Sequence, residues 1–219
     1  MSAPPPVLHA DEWLLVADKP AGMLSVAGRG PAGEDCLHAR LREHWPDALV
    51  VHRLDMATSG LMIFARGAHS QRALSIAFAG RAVHKRYDAI VAGLPRAGNP
   101  DDEGWTTIDL PLAADWPARP RQKVDVVNGR PSLTRWRIAR DAPGARDGCT
   151  RLELEPVTGR SHQLRVHLAA IGHPILGDAL YAAGPLAQSA PRLMLHAGSL
   201  ALAHPADGRP MAWRSTAPF

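Results

Sequence analysis

Short apolar runs broken by turn chemistry, three helical stretches among them, and no dinucleotide or phosphate-loop fingerprint predict an α+β fold. The expected architecture is a single domain with a mixed, mostly antiparallel sheet and flanking helices and loops. Residues 1–10 contain three consecutive prolines and are expected to form a disordered, Pro-rich tail, leaving 11–219 for the domain and no room for an N-terminal accessory domain. Residues 13–17 read as a strand that ends at the turn signal Lys19-Pro20-Ala21-Gly22. Leu37, Leu41 and Trp45 recur every fourth residue, so 34–45 reads as an amphipathic helix stopped by Pro46. A buried strand is expected at 61–65. Ala73, Leu74, Ala77 and Phe78 share one face of a helix over 68–79 that closes at Gly80. Residues 87–92 read as a strand and 94–104, rich in Pro, Gly, Asn and Asp, as a surface loop. Further strands are expected at 105–110, 124–127, 133–139 and 150–155, with turns at Asn128-Gly129, a strong hairpin signal, and Pro143-Gly144. Leu164, Leu168 and Ile171 stripe a helix over 160–171, and 193–203 returns as a strand.

Composition narrows the function classes. The chain has 219 residues, 46% of them hydrophobic and 21% charged, with 19 Gly and 20 Pro, which describes a folded, loop-rich protein. No apolar run approaches the roughly 18 to 20 residues of a membrane helix, and the first Lys or Arg is Lys19, so no secretory leader is expected and the location read from this is cytoplasmic. Cys36 and Cys149 are too few for a disulfide framework and form no CxxC pair for zinc. The net charge is +4 and the pI about 9.6. Basic residues cluster at Arg81, Lys85 and Arg86, and again at Arg119, Arg121 and Lys123. Residues 156–177, with Arg160 and Arg165, contain no Asp or Glu. These clusters suit either a phosphate backbone or ordinary solvated faces.

Two segments carry the chemistry. Val51-His52-Arg53-Leu54-Asp55-Met56-Ala57-Thr58-Ser59-Gly60-Leu61 sets a cation, an anion and a Thr-Ser-Gly turn between apolar runs. Alone, it reads equally as a surface ion pair beside a capped turn. In Glu155-Pro156-Val157-Thr158-Gly159-Arg160-Ser161-His162-Gln163-Leu164-Arg165-Val166-His167-Leu168 a Gly turn opens a basic helix. His162 and His167 are off the spacing of a zinc-binding helix and read as structural or phosphate-facing, and Ser161 lacks a nucleophile elbow.

Together these segments resemble the RluA family of pseudouridine synthases, whose HRLDxxTSGL and TGRxHQLRxH signatures stand at His52 to Leu61 and Thr158 to His167. Asp18-Lys19-Pro20-Ala21-Gly22, Lys85-Arg86-Tyr87-Asp88-Ala89, Gly172-His173-Pro174-Ile175-Leu176-Gly177-Asp178 and Arg192-Leu193-Met194-Leu195-His196-Ala197 extend the likeness over nearly the whole chain. It implies a pseudouridine-synthase-type domain with its catalytic cleft across the sheet and an isomerase that needs neither metal nor cofactor. Length and the segment 110–120 resemble the short branch that modifies both a 23S rRNA hairpin of the U746 type and uridine 32 of the tRNA anticodon loop. Another rRNA or tRNA uridine, or a catalytically silent RNA-binding protein, remains open. So, more remotely, do a base-releasing glycosidase and a ribosome assembly factor.

By the resemblance Asp55 is the catalytic carboxylate, acting as nucleophile at C1′ or as base at C2′. Burial would raise its pKa above ~3.9 unless a cation offsets the desolvation. Arg165 matches the residue that pairs with it, and Tyr87 the one that stacks on the base and helps remove the C5 proton. Arg53 matches the residue that fills the space left by the flipped nucleotide. Leu193 or Leu195 is expected to wall the base pocket. His52 and Thr58 complete the substrate-binding set with the phosphate candidates Lys85, Arg86 and Arg160, followed by Arg119, Arg121 and Lys123. Lys19-Pro20 reads as structural. RNA is the expected partner, with neither a membrane nor an obligate protein partner indicated.

Overall fold

The computed structural model describes residues 6–28, 30, 33–96, 98, 100–139 and 148–219. In chain order its strands are β1 (Val7–Ala10), β2 (Leu14–Lys19), β3 (Ala48–Val50), β4 (Ser59–Arg66), β5 (His84–Ala92), β6 (Thr106–Asp109), β7 (Leu112–Ala114), β8 (Gln122–Val124), β9 (Leu133–Ile138), β10 (Cys149–Pro156), β11 (Leu195–Ala203) and β12 (Pro210–Arg214). Its α-helices are α1 (Leu37–Arg42), α2 (Gly67–Ala79) and α3 (Gln163–Ala170). This is the α+β composition expected, and the pairs β1–β2, β2–β4, β3–β4, β5–β10, β9–β10, β6–β9, β7–β8 and β11–β12 are antiparallel. The chain divides into two compact units: the first runs to Lys85 and resumes over Ala197–Ala217, and the second comprises Arg86–His196 and Pro218–Phe219.

In the first unit the strand order is β1-β2-β4-β11, with β3 also on β4 and β12 on β11. All but the last residue of β4 are buried, because both of its faces are covered, and it therefore reads as an unbroken apolar run rather than an alternation. The pleat sends Leu14 and Val16, Leu61 and Ile63, and Leu200 and Leu202 into one core, which Leu74 of α2 closes. Each such side chain contributes roughly 1.5 to 3 kcal/mol by leaving water. Helix α2 ends as expected, with the Gly80 N–H bonded to Ile76 O at 2.8 Å. Helix α1 starts later than 34, because Cys36 stays extended and its sulfur accepts the Ala39 N–H at 3.3 Å.

In the second unit the order is β5-β10-β9-β6, with β7 and β8 forming a separate hairpin. Strand β10 alternates strictly, burying Thr150, Leu152, Leu154 and Pro156. Its Glu153 takes Arg137 at 2.7 and 2.9 Å, and Glu155 takes Arg135 at 3.4 Å. These guanidiniums, with that of Arg86, lie 4.5 to 5.2 Å from the ring centre of buried Trp105.

Several expectations need correction. The tail is shorter than 1–10, since Val7–Ala10 pairs with β2; past Pro6 every residue has an N–H to give, and the edge of β2 offers partners. Of the strand expected at 124–127 only Val124 belongs to one, as the last residue of β8. The Asp125 carboxylate accepts the Val127 and Asn128 N–H groups at 3.1 and 2.9 Å, curling the chain into a turn with Val126 and Val127 77% and 84% exposed. The Asn128-Gly129 pair closes that turn, and β8 pairs back to β7 instead. Helix α3 begins at Gln163 because His162 adopts a left-handed φ of 56°. The turn expected at Pro143-Gly144 lies outside the described residues.

Gly60 opens β4 at φ 113°, where a Cβ would stand 2.5 Å from both the N and the O of Ala197 in β11. Gly60→Ala is therefore expected to destabilise the protein by about 3 kcal/mol or more through strain and displaced backbone. A denaturant titration that found its midpoint unchanged would contradict this close approach.

Candidate active site

Asp55 stands in the first unit, on the connection between β3 and β4, and its neighbours along the chain are held on both sides. Before it, the Ser25 hydroxyl donates to Leu54 O at 2.6 Å and accepts the Leu54 N–H at 3.1 Å. After it, Met56 O accepts the Gly22 N–H at 2.8 Å and the Lys19 ammonium at 3.1 Å. Lys19 has no solvent exposure and also donates to Pro20 O and Met23 O, at 2.9 and 2.8 Å. The Thr58 N–H closes the turn onto Asp55 O at 3.1 Å. Arg53 and Met56 point outward while Leu54 and Thr58 are buried.

His52 is tied to the fold. Its Nε2 accepts the Ile63 N–H at 2.9 Å and its ring stacks on Phe78 at 4.5 Å. Burial, aided by the charge of Lys85, pushes its pKa down to about 3, so the ring is the neutral Nδ1–H tautomer at pH 7. Burial likewise pushes the half-buried Lys85 ammonium below its ordinary range.

The second unit holds the remaining candidates. Tyr87 lies half-buried on β5, opposite Leu154 of β10. Arg165, on α3, forks onto Asp178 through Nε at 2.8 Å and Nη2 at 2.7 Å, the two side chains only 5% and 0% exposed. Asp178 also accepts the Leu180 and Tyr181 N–H groups at 2.9 and 3.1 Å. Tyr181 in turn lies under the Arg165 guanidinium at 5.1 Å, accepts the Gln122 N–H at 2.7 Å and meets His162 Nδ1 at 2.6 Å. Sequence reasoning gave no role to Asp178 or Tyr181; only the inclusion of Asp178 in the Gly172-to-Asp178 motif marked it.

Two other motif residues have structural work. Gln163 joins Thr158, Leu133 and Thr134, and His167 sits between Thr134 Oγ1 and Leu110 O, its pKa lowered by burial. Leu193 and Leu195 are equally buried. Of the basic candidates, Arg160 is exposed, while Arg86 has Glu153 at 3.8 Å. Arg119, Arg121 and Lys123 are exposed on and before β8. The guanidinium of Arg119 lies 3.4 Å over the ring of Trp116, which is 66% exposed. Among the described residues no group of three His, Cys, Asp or Glu is placed to hold a metal, and no helix is long and apolar enough to cross a membrane.

Comparison with known proteins adds to this geometry. A family model described as RNA pseudouridylate synthase matches residues 13–170. The chain is 45% identical over 213 residues to the dual-specificity RNA pseudouridine synthase RluA of Salmonella typhi, covering 97% of this chain and 93% of that protein. Its identity to the protein of the same name from Yersinia pestis is 46% over 214 residues, covering 97% and 99%. Among solved structures, human RNA pseudouridylate synthase domain containing 1 superimposes with a TM-score of 0.77 at 28% identity, covering 98% of this chain and 84% of that one.

Two outcomes follow from the buried charges. Asp178→Ala removes the buried fork to the Arg165 guanidinium together with the bonds to the Leu180 and Tyr181 N–H groups and should cost about 3 to 5 kcal/mol of stability, read by chemical denaturation. His52 has a folded pKa below its unfolded value of 6.5, so the unfolded chain binds the proton first. Its stabilising contribution is whole above pH 6.5 and is lost as the pH falls toward 3, by at most about 1.4 kcal/mol per pH unit. His52→Gln should flatten the decline measured between pH 6.5 and 5; an unchanged slope would place the titration elsewhere.

Proposed function

This chain belongs to the RNA pseudouridylate synthase family and is an RNA pseudouridine synthase, an isomerase, and on that premise we propose that it modifies two structured RNAs in the cytoplasm, a 23S rRNA hairpin and the tRNA anticodon stem-loop, with Asp55 as the catalytic carboxylate. The observation carrying the dual range is near-complete coverage, at 45 to 46% identity, of relatives that bear the dual-specificity name.

The reaction breaks the uridine N1–C1′ bond, turns the base and forms the C5–C1′ bond. The C5 proton leaves and N1 regains one, so substrate and product are isomers. A duplex or stacked loop hides C1′ and C5, hence the nucleotide must be flipped out at a cost of a few kcal/mol, and Arg53, exposed beside Asp55 in sequence, takes the vacated space. Asp55 then attacks C1′ or removes the C2′ proton. Either step requires a carboxylate with a fixed direction, which the bonds to Leu54, Asp55 and Met56 main-chain atoms favour. Arg165 supplies a permanent charge whose plane is fixed by the fork to Asp178, so that its other N–H groups have set directions for orienting the carboxylate. Tyr87 offers a face to the base and a hydroxyl near the C5 proton. Leu193 or Leu195 walls the base. His52 and Thr58, tied into the fold, support the Asp55 segment, while Arg160, Arg119, Arg121 and Lys123, with Lys85 and Arg86, supply the charge that attracts phosphates.

The test is tritium release from both RNAs carrying tritium at uridine C5. Wild type should release it from each, Asp55→Asn from neither, and Arg165→Lys more slowly than wild type although the charge is kept, because the planar fork is lost. Release from one RNA alone would overturn the dual range, and wild-type rates for Asp55→Asn would overturn the assignment of the carboxylate.

A further inference from the structure

We propose that Ser25 is a positioning residue for the isomerisation, acting on Asp55 through the main chain of Leu54; this rests on the reading of Asp55 as the catalytic carboxylate. Ser25 is 4% exposed, and its hydroxyl uses both of its capacities on one residue, donating to Leu54 O at 2.6 Å and accepting from Leu54 N at 3.1 Å. The carbonyl of Leu54 lies in the same peptide plane as the N of Asp55. Holding that oxygen fixes the plane entering Asp55 and thereby the direction in which its Cα–Cβ bond leaves the chain.

Ser25 is itself anchored. Its carbonyl accepts the His38 N–H at 3.2 Å, the Leu24 carbonyl accepts the Leu37 N–H at 2.8 Å, and Leu24 bridges Cys36 in parallel at the start of α1. Support therefore runs from α1 through residues 24 and 25 to Leu54 and so to Asp55. On the far side, Gly22 and Lys19 hold Met56 O, and the Thr58 N–H holds Asp55 O. At the peptide entering Asp55, the hydroxyl of Ser25 therefore grips both the N–H and the carbonyl of Leu54. The bonds are buried, so deleting it leaves two polar groups of Leu54 without that partner and lets the plane turn.

A merely structural serine and a positioning serine differ in what its removal changes. The experiment measures single-turnover tritium release at saturating stem-loop, stem-loop Kd and the unfolding midpoint for wild type, Ser25→Ala, Ser25→Thr and Asp55→Asn. Misplacement of a reacting group by about 1 Å can cost on the order of a hundredfold, so Ser25→Ala should lose at least about tenfold in rate while Kd stays within about twofold. Ser25→Thr, which keeps the hydroxyl, should recover most of the loss. If Ser25→Ala does not fold, Ser25→Cys, with a weaker donor and acceptor, should give an intermediate rate. A Ser25→Ala or Ser25→Cys rate equal to wild type, with Asp55→Asn inactive, overturns the positioning role alone. So does a loss that Ser25→Thr leaves unrecovered while folded. Wild-type rates for Asp55→Asn would instead overturn the carboxylate assignment on which it rests.

Discussion

An ammonium group with no access to water must be met by acceptors inside the protein, and at Lys19 this requirement organises the Asp55 loop. Lys19 ends β2, in register with Gly60 of β4. From there its charge draws in the carbonyls of Pro20, Met23 and Met56. Two of these belong to the turn it enters and one to a segment far along the chain, so the turn after β2 and the loop before β4 become one hydrogen-bonded body. A neutral side chain of equal length would bury the same methylenes and still leave Met56 O with less to hold it. The register of two strands thus carries through to the placement of the carboxylate next to Met56.

The second unit meets a buried cation in another way. Arg165 is neutralised by a carboxylate, and Asp178 spends its remaining acceptor capacity on the N–H groups of the turn that follows it. That turn delivers Tyr181 under the guanidinium, and Tyr181 reaches His162, whose left-handed backbone starts α3 and so places Arg165. The arrangement is a closed circuit: the helix presents the arginine, the arginine selects the aspartate, and the aspartate's turn returns a tyrosine to the head of the helix. Breaking any member disturbs the others, as expected for buried polar networks.

The strands could be read because burial leaves a pattern: β4 is apolar throughout and β10 alternates. What escaped was decided by hydrogen bonds that no local pattern announces. Val126 and Val127 have strand-forming side chains, yet one Asp125 carboxylate bonding to two N–H groups turns the chain there. Val7–Ala10 sits behind prolines and becomes a strand only because β2 presents an edge. At the site, the signatures marked Asp55, Arg165 and Tyr87, but Ser25 and Leu54, or Arg165 and Tyr181, meet only after folding. His52 stands in the HRLD signature beside Arg53; its fixed place against Ile63 and Phe78 is a product of tertiary packing that no local pattern announces.

The same distinction applies to the basic clusters. In the sequence, Lys85 with Arg86 and Arg119 with Arg121 and Lys123 look alike. In the fold Arg86 shares Glu153 with Arg137, and Lys123 has Asp125 at 3.9 Å, so a carboxylate offsets part of the field of each cluster. Arg119, by contrast, is exposed with its guanidinium 3.4 Å over the ring of an exposed indole, which holds the charge in place without neutralising it. Attraction of a polyanion depends on charge that is both accessible and uncompensated. By that criterion Arg119 counts for more than Arg86 or Lys123, although a tally of Lys and Arg would rank the three equally.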